Sequence, residues 1–289
     1  MNAFEFHAPD SLAEVFELLG RYGDDARLIA GGTALVILMR QNLVRPSAVI
    51  SLRRLSELNG IDAEDGGLHI GALATHREVE TSPLVAARLP VLVDTLRHVA
   101  TIRIRNVGTL AGNLAHADPN QDPPATLIAL GASVEVRSAR GQRMIPLDEF
   151  FTDYYETALA PGDVVTGVRV PGLSDRSAAA FTKFLPRTAD DYATVSVAAV
   201  LTLDEAGQTC RDVRLALGAA GSTPIRARQA ETVLRGQPLT DEAIREAAAT
   251  ARTEVDPISD IRGSADYKRD MAEVWVRRTI QRALGQGTG

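Results

Sequence analysis

The chain predicts an α+β fold in two parts, and three observations carry that expectation. Strand-like and helix-like segments alternate up to Pro171, with glycine at several of the junctions. The stretch "GLSDRSA" at 172–178 is small, polar and glycine-containing, the composition of a boundary. Beyond it, three strand-like runs precede three helix-like runs, the grouped order of an α+β unit. The first part is then about 170 residues and the second about 110, both ordinary sizes for domains.

"DSLAEVFELLGRYG" places Leu12, Val15, Phe16 and Leu19 at helical spacing, opens with Ser11 and Glu14 in capping-box register, and stops near Gly20 and Gly23. "ARLIAGGTALVILMRQNL" reads as a short buried strand, a turn at Gly31 and Gly32, and an apolar helix beginning near Thr33. "SAVISL" and "GLHIGAL" read as strands. Thr75 with Glu78 makes a second capping box before "HREVETSPLV", and "LPVLVDTLRHVA" is amphipathic. "TLAGNLAHADPNQD", residues 109–122, reads as a long polar loop leading into "PPATLIALG", a helix with proline in its first turn. "ASVEVRSA" alternates as a strand, and "DVVTGVRVP" is a strand stopped by Pro171. In the second part "AAFTKFL", "YATVSVAAVLTL" and "CRDVRLALGAA" read as strands. "TPIRARQAETVLRG", "TDEAIREAAATARTEV" and "SADYKRDMAEVWVRRTIQRAL" read as helices, with Met271, Val274 and Trp275 as core residues of the last.

Composition narrows the chemistry. The 289 residues are 45% hydrophobic and 24% charged, with a formal net charge of -6, which disfavours nucleic acid or an anionic membrane as partner. No run approaches the roughly 18 apolar residues of a membrane span. The start, "MNAFEFHAPD", has no basic and apolar leader pattern, so a cytoplasmic protein with no membrane span is expected. Cys210 is the single cysteine, which excludes an internal disulfide and a four-thiolate iron–sulfur cluster; it reads as a small buried apolar residue. His7, His69, His76, His98 and His116 lack metal-site spacing, so no metal ligand is assigned. His76 and His98 sit at helix ends, where a histidine is commonly structural. No nucleophile elbow, P-loop or dinucleotide fingerprint occurs. Chemistry would come from a bound organic cofactor, and no catalytic residue is assigned.

Two glycine segments remain: "IAGGTAL" at 29–35 and "GTLAGNLA" at 108–115. Glycine allows positive φ and removes the Cβ that would block a ligand, so successive amides can converge on one anion. Brought together, the two would offer donors from two directions, as a diphosphate requires, with Thr33, Thr109 and Asn113 adding side-chain donors. Either alone is more often a tight connection. Asp122, just before Pro123 and Pro124, reads as a helix N-cap or as an acceptor for the hydroxyls of a ribose. Arg103 and Arg105 could reach a phosphate or a neighbouring carboxylate.

"LIAGGTAL", "IGALATH", "IRNVGTLAGNLAHADPNQDPPATLIALGA", "DVVTGVRVP", "FTKFLPRTADDYATVSVAAVLTL" and "GSADYKRDMAEVWVRRTIQRAL" together resemble the flavoprotein (medium) subunit of the molybdenum hydroxylases. That family includes aerobic carbon monoxide dehydrogenase and xanthine dehydrogenase, and the carbon monoxide dehydrogenase type is the more similar. The resemblance implies an FAD-binding domain of the PCMH/VAO type over 1–173, with α/β subdomains at about 1–57 and 58–173. A carbon monoxide dehydrogenase flavoprotein C-terminal-type α+β domain would follow over 178–285. The resemblance implies that Leu28, Ile29, Ala30, Gly31, Gly32, Thr33, Ala34 and Leu35 hold the FAD diphosphate, together with Thr109, Leu110, Ala111, Gly112 and Asn113. It turns Asp122 from a cap into an FAD contact, adds Val165 and Lys183 as flavin contacts, and makes Tyr192 a cover for the isoalloxazine. By residue type alone, Val165 is a buried strand residue, Lys183 a solvated edge-strand lysine and Tyr192 the anchor of its own strand. Ala111 stands where the family has glycine, and its methyl is tolerated if φ there is negative.

The function implied is electron transfer through FAD in a heteromer. A molybdopterin-binding large subunit would oxidise the substrate, and an iron–sulfur small subunit would relay electrons through [2Fe-2S] clusters to this chain. A quinone, dioxygen or NAD would then accept them. The assembly implied is a dimer of heterotrimers, with the molybdenum cofactor and clusters on the partners. The glycine segments by themselves also fit a nucleotide-binding structural or regulatory subunit without redox turnover.

Overall fold

Apolar runs too short to be buried alone open the chain as β1 (Glu5–His7), α1 (Leu12–Tyr22), β2 (Ala26–Ile29), α2 (Leu35–Arg40) and β3 (Ala48–Ser51). The structure, a computed structural model, describes residues 3–286 apart from 186, 187 and 189. The three strands form a parallel sheet in the order β1-β3-β2, so α1 and α2 serve the crossovers that parallel neighbours need. Ser11 Oγ accepts from the Glu14 N–H as expected, but the Glu14 carboxylate returns to the N–H of Asp10 instead of that of Ser11. α2 starts later than Thr33 because Gly32, at φ 75°, lies outside helical geometry. Residues 30–34 are left as an open turn.

A second sheet is antiparallel throughout, in the order β4-β5-β10-β6-β7. It begins with the hairpin β4 (Ile61–Glu64) and β5 (Gly67–Gly71). Helices α3 (His76–Thr81), α4 (Pro83–Arg88), α5 (Pro90–Arg97), α6 (Ile102–Arg105), α7 (Leu110–His116) and α8 (Asp122–Leu130) then intervene. The chain returns as β6 (Ser133–Ser138), β7 (Gly141–Pro146), the small hairpin β8 (Phe151–Asp153) and β9 (Glu156–Thr157), and the central β10 (Val164–Val170).

Two expectations are corrected here. The segment 109–122 is not a loop throughout: Leu110, Ala111 and Leu114 bury one side of a short helix, and Thr109 caps it. Asp122 is not the cap of α8, because Gln121 holds that position without a side-chain bond and Asp122 is already helical. Every residue of α8 is buried.

The last part is an antiparallel sheet of β11 (Ser177–Phe184), β12 (Val195–Leu203), β13 (Cys210–Gly218) and β14 (Ile225–Arg226), followed by α9 (Arg228–Leu234), α10 (Asp241–Glu254) and α11 (Ala265–Ala283). The stretch expected to be wholly helical from Thr223 thus opens with a strand against β13. One face of this sheet, with Val195, Val197, Ala199 and Leu201, packs with Ile244, Val276 and Ile280. The other, with Phe181, Ala198, Val200 and Ala216, joins the core that holds α5 and α8. A strand buried on both faces needs no polar alternation, which explains the continuous apolar run in β12. Cys210 is fully buried, and burial pushes its thiol up to about 11. Trp275 is only partly buried and stacks on Phe184 at 5.2 Å.

Candidate cofactor-binding site

The two glycine segments touch. A Cβ added to Gly31 would lie 2.1 Å from the Val107 carbonyl oxygen and 2.9 Å from Gly108 Cα, so only glycine allows this approach. One added to Gly108 would lie 3.4 Å from both Thr33 Oγ1 and His76 Cδ2. The second segment is held from its other side as well: the His76 N–H donates to the Gly108 carbonyl at 2.9 Å, and the Leu110 N–H to the Ala74 carbonyl at 3.1 Å. This bridge pairs Thr75 with Thr109, and both threonines are helix caps. Thr75 forms the full box, its N–H donating to the Glu78 carboxylate at 2.7 Å, while Thr109 Oγ1 accepts from the Gly112 N–H at 3.0 Å.

The amide groups of Gly31, Gly32, Thr33 and Ala34 donate to no acceptor among the described residues. Consecutive half-buried N–H groups without a protein partner form an anion cradle. This is the arrangement a dinucleotide's phosphates require, and the residues present fit FAD. Ala111 does not obstruct it. Its φ is not positive, and its side chain lies in the core with Leu110 and Leu114.

A second polar group lies around the start of α8. Lys183 Nζ on β11 donates to Asp122 Oδ2 at 2.8 Å and to the His98 carbonyl at 2.9 Å, the two side chains being 2% and 6% exposed. Lys183 is therefore no solvated edge residue. Burial pushes the Asp122 carboxyl up to about 6 against the downward pull of the Lys183 ammonium. Asp122 Oδ1, Gln121 Oε1, Ser196 Oγ and, on the neighbouring α7, Asn113 Oδ1 are buried without a partner among the described residues. Folded proteins pair such atoms, so a ligand carrying hydroxyl or N–H donors fits them.

Other assigned residues are placed differently. Val165 is buried on β10 at a register shift and joins the core. Tyr192 precedes β12 instead of anchoring it, is 41% exposed, and lies with its ring 5.5 Å from the Arg262 guanidinium carbon. Arg105 pairs with Glu80 at 3.0 Å and donates to the Val99 and Ala100 carbonyls, which settles it on a carboxylate. His76 is buried, and burial, with the charge of Arg105, holds it down to about 4.

Sequence reasoning missed Gln121, Ser196 and the His98 carbonyl. A carbonyl leaves no signal in sequence; the available cue was Ser196, a polar residue between two valines of β12. Among the described residues no group of His, Cys, Asp and Glu is arranged to hold a metal ion.

Residues 2–173 match the family described as the FAD binding domain in molybdopterin dehydrogenase, and residues 180–283 match the CO dehydrogenase flavoprotein C-terminal domain. The chain is 37% identical over 282 residues to the 6-hydroxypseudooxynicotine dehydrogenase complex subunit alpha of Paenarthrobacter nicotinovorans, covering 98% of this chain and 95% of that one. It is 37% identical over 280 residues to the carbon monoxide dehydrogenase medium chain of Hydrogenophaga pseudoflava, covering 97% and 96%. A solved structure of carbon monoxide dehydrogenase from Hydrogenophaga pseudoflava, lacking the Mo-pyranopterin moiety of the molybdenum cofactor, matches with a TM-score of 0.95 at 37% identity over 99% of each chain. With the glycine cradle and the two-part fold in agreement, the chain belongs to the FAD-binding medium subunits of the molybdenum hydroxylases, carbon monoxide dehydrogenase type, and is an oxidoreductase subunit.

Proposed function

We propose that this chain is the electron outlet of a heteromeric molybdenum hydroxylase, receiving electrons from [2Fe-2S] clusters of a small subunit and passing them to a quinone, dioxygen or NAD. The observation that carries this reading is the contact of Gly31 with Val107 and Gly108, which sets four unengaged amides beside a second glycine segment. Bound FAD supplies what no side chain here can, uptake of two electrons and their release singly or together.

The protein's own part is to bind and orient. Residues Leu28 to Leu35 and Thr109 to Asn113 hold the diphosphate, the amides of Gly31 to Ala34 donating to its oxygens. Asp122 Oδ1 accepts from a cofactor hydroxyl or N–H, while Lys183 engages the other carboxylate oxygen and supplies positive charge that favours an anionic reduced cofactor. Val165 supplies a wall and Tyr192 a cover. We divide the chain at the stretch between residues 173 and 178, with subdomains at about 1–57 and 58–173 ahead of it and the C-terminal unit over 178–285.

The names of the relatives, a complex subunit and a medium chain, support an assembly with other subunits. We place the iron–sulfur clusters and the molybdenum cofactor on an iron–sulfur small and a molybdopterin-binding large subunit, in a dimer of heterotrimers in the cytoplasm. Cys210 alone cannot ligate a cluster. No helix among the described residues is long and apolar enough to cross a membrane.

The test is spectroscopic. The purified chain is expected to carry a flavin absorption spectrum, which bleaches when the two partner subunits and their substrate are added without an acceptor. A folded chain that stays colourless with added FAD overturns the reading. Bound flavin that never bleaches beside competent partners supports a non-redox nucleotide-binding subunit instead.

A further inference from the structure

Arg105 is part of neither glycine segment nor the Asp122–Lys183 pair, yet it bonds the stretch of chain that runs from one to the other. Its Nε donates to the Glu80 carboxylate on α3 at 3.0 Å. Its Nη1 donates to two consecutive carbonyls, those of Val99 at 2.9 Å and Ala100 at 3.1 Å. The carbonyl just before them, that of His98, accepts from Lys183 Nζ at 2.9 Å. Three successive carbonyls are therefore held by two cations, one on α6 and one on β11. Ala100 has a φ of 39°, a region that residues other than glycine rarely occupy and that persists where the surroundings impose it.

The same arginine stands three residues ahead of Gly108. The Ile104 carbonyl accepts from the N–H of Val107 at 3.1 Å and of Gly108 at 2.7 Å, so the end of α6 sets where both lie against Gly31. α3 grips this stretch at two points. At its start the His76 N–H donates to the Gly108 carbonyl at 2.9 Å, and one turn further on Glu80 takes Arg105. Glu80 is buried, and its other oxygen accepts from Arg77 at 3.0 Å. The Arg105 side chain is 13% exposed, so water and salt screen the pair little.

We propose that Arg105 is a positioning residue that joins the two halves of the cofactor site. It fixes the turn at 98–100, and with it the carbonyl that Lys183 uses, in register with the Val107–Gly108 backbone that meets Gly31. This rests on the FAD reading above, since only a cofactor spanning both halves needs them in register. Arg105 touches no cofactor in this scheme and acts through the backbone on either side of it. A role confined to folding would tie α6 to the end of α5 and nothing more, and a conservative substitution separates the two. Arg105→Lys keeps a positive charge beside Glu80. An ammonium lacks the planar fork, so it cannot hold the carboxylate and both carbonyls in one fixed geometry.

The experiment compares Arg105→Lys with Arg88→Lys in the full chain. Arg88 also reaches across to a carbonyl, that of Gly67 at 2.9 Å, and is part of neither half of the site. Without FAD, Arg105→Lys is expected to speed hydrogen exchange about tenfold at the amides of His76 and Leu110, which donate to the Gly108 and Ala74 carbonyls, while the amides of β12 and β13 keep the parent's rates. In a fluorescence titration Arg105→Lys is expected to weaken FAD binding about tenfold, and Arg88→Lys by less than about twofold. Should Arg105→Lys fail to fold, Glu80→Gln, which frees Arg105 from its carboxylate, carries the same two measurements, with about threefold changes expected. Exchange that rises equally throughout the chain, or FAD affinity in Arg105→Lys equal to that of Arg88→Lys, overturns the proposal, while FAD uptake by the parent leaves the functional reading standing. A parent chain that takes up no FAD overturns that reading, and with it the purpose given to Arg105.

Discussion

Lys183 and Asp122 show how far a single residue's meaning depends on what faces it. On its strand Lys183 reads as a solvated edge lysine, yet it is buried with a carboxylate and a helix-end carbonyl as its partners. Removing one member of such a pair leaves a buried charge and costs about 3 kcal/mol or more. Because burial already raises the Asp122 carboxyl, the loss has a pH sign: the ionised form is the penalised one, so the burden grows as pH rises through about 6. Lys183→Met is therefore expected to destabilise the FAD-free chain strongly at pH 8 and much less at pH 5, as read by urea denaturation. The glycine positions give a sharper contrast. Gly31→Ala puts a methyl into the Val107 carbonyl and is expected to weaken FAD binding at least tenfold in a fluorescence titration. Ala111→Gly is expected to improve binding not at all and to lower stability by about 1 kcal/mol, since the methyl already faces the core of a helix.

Among the elements, α3 and α7 set the geometry, and they were unequally legible. The Thr75 and Glu78 box announces α3 in sequence and forms as expected. α7 was hidden because its short apolar face is interrupted by Gly112 and Asn113, and a helix this brief owes its stability to packing more than to propensity. β7 was missed for a related reason: an exposed edge strand has little apolar pattern to read. The first residue of α3, His76, carries a prediction for the element. Its folded pKa of about 4 lies below the ordinary 6.5, so its contribution is complete above 6.5 and is lost as pH falls toward 4. That displacement corresponds to ~3 kcal/mol. Asp122 acts oppositely over nearly the same window, its contribution being lost as pH rises from 3.8 to about 6. The two largely offset each other. His76→Gln is expected to expose the Asp122 slope, with the FAD-free chain losing stability as pH rises from 4 to 6; a variant as flat as the parent would contradict it.

For the whole molecule, α8 and the C-terminal sheet bind the two parts into one core. α8 is buried along its length, and Phe181, Ala198, Val200 and Ala216 belong to the same apolar cluster as its leucines. A fragment ending at residue 173 would expose that face and is expected to aggregate or to elute as a mixture in size-exclusion chromatography, whereas the full chain stays discrete. The Asp122–Lys183 pair spans the same junction, so the fragment would also lack half of the site's polar anchor.

Local pattern was enough to reveal the mixed fold, the first helix, the α3 cap, the buried cysteine and the two glycine segments that meet. These follow from interactions a few residues apart: capping spacing, alternation and the freedom of glycine are written in neighbouring letters. The tertiary structure alone decided that Gly31 meets Gly108 and that Asp122 faces Lys183 instead of capping its helix. Those contacts join segments distant in sequence. Which buried polar group finds which partner depends on the packing of the whole core, and no local spacing encodes it.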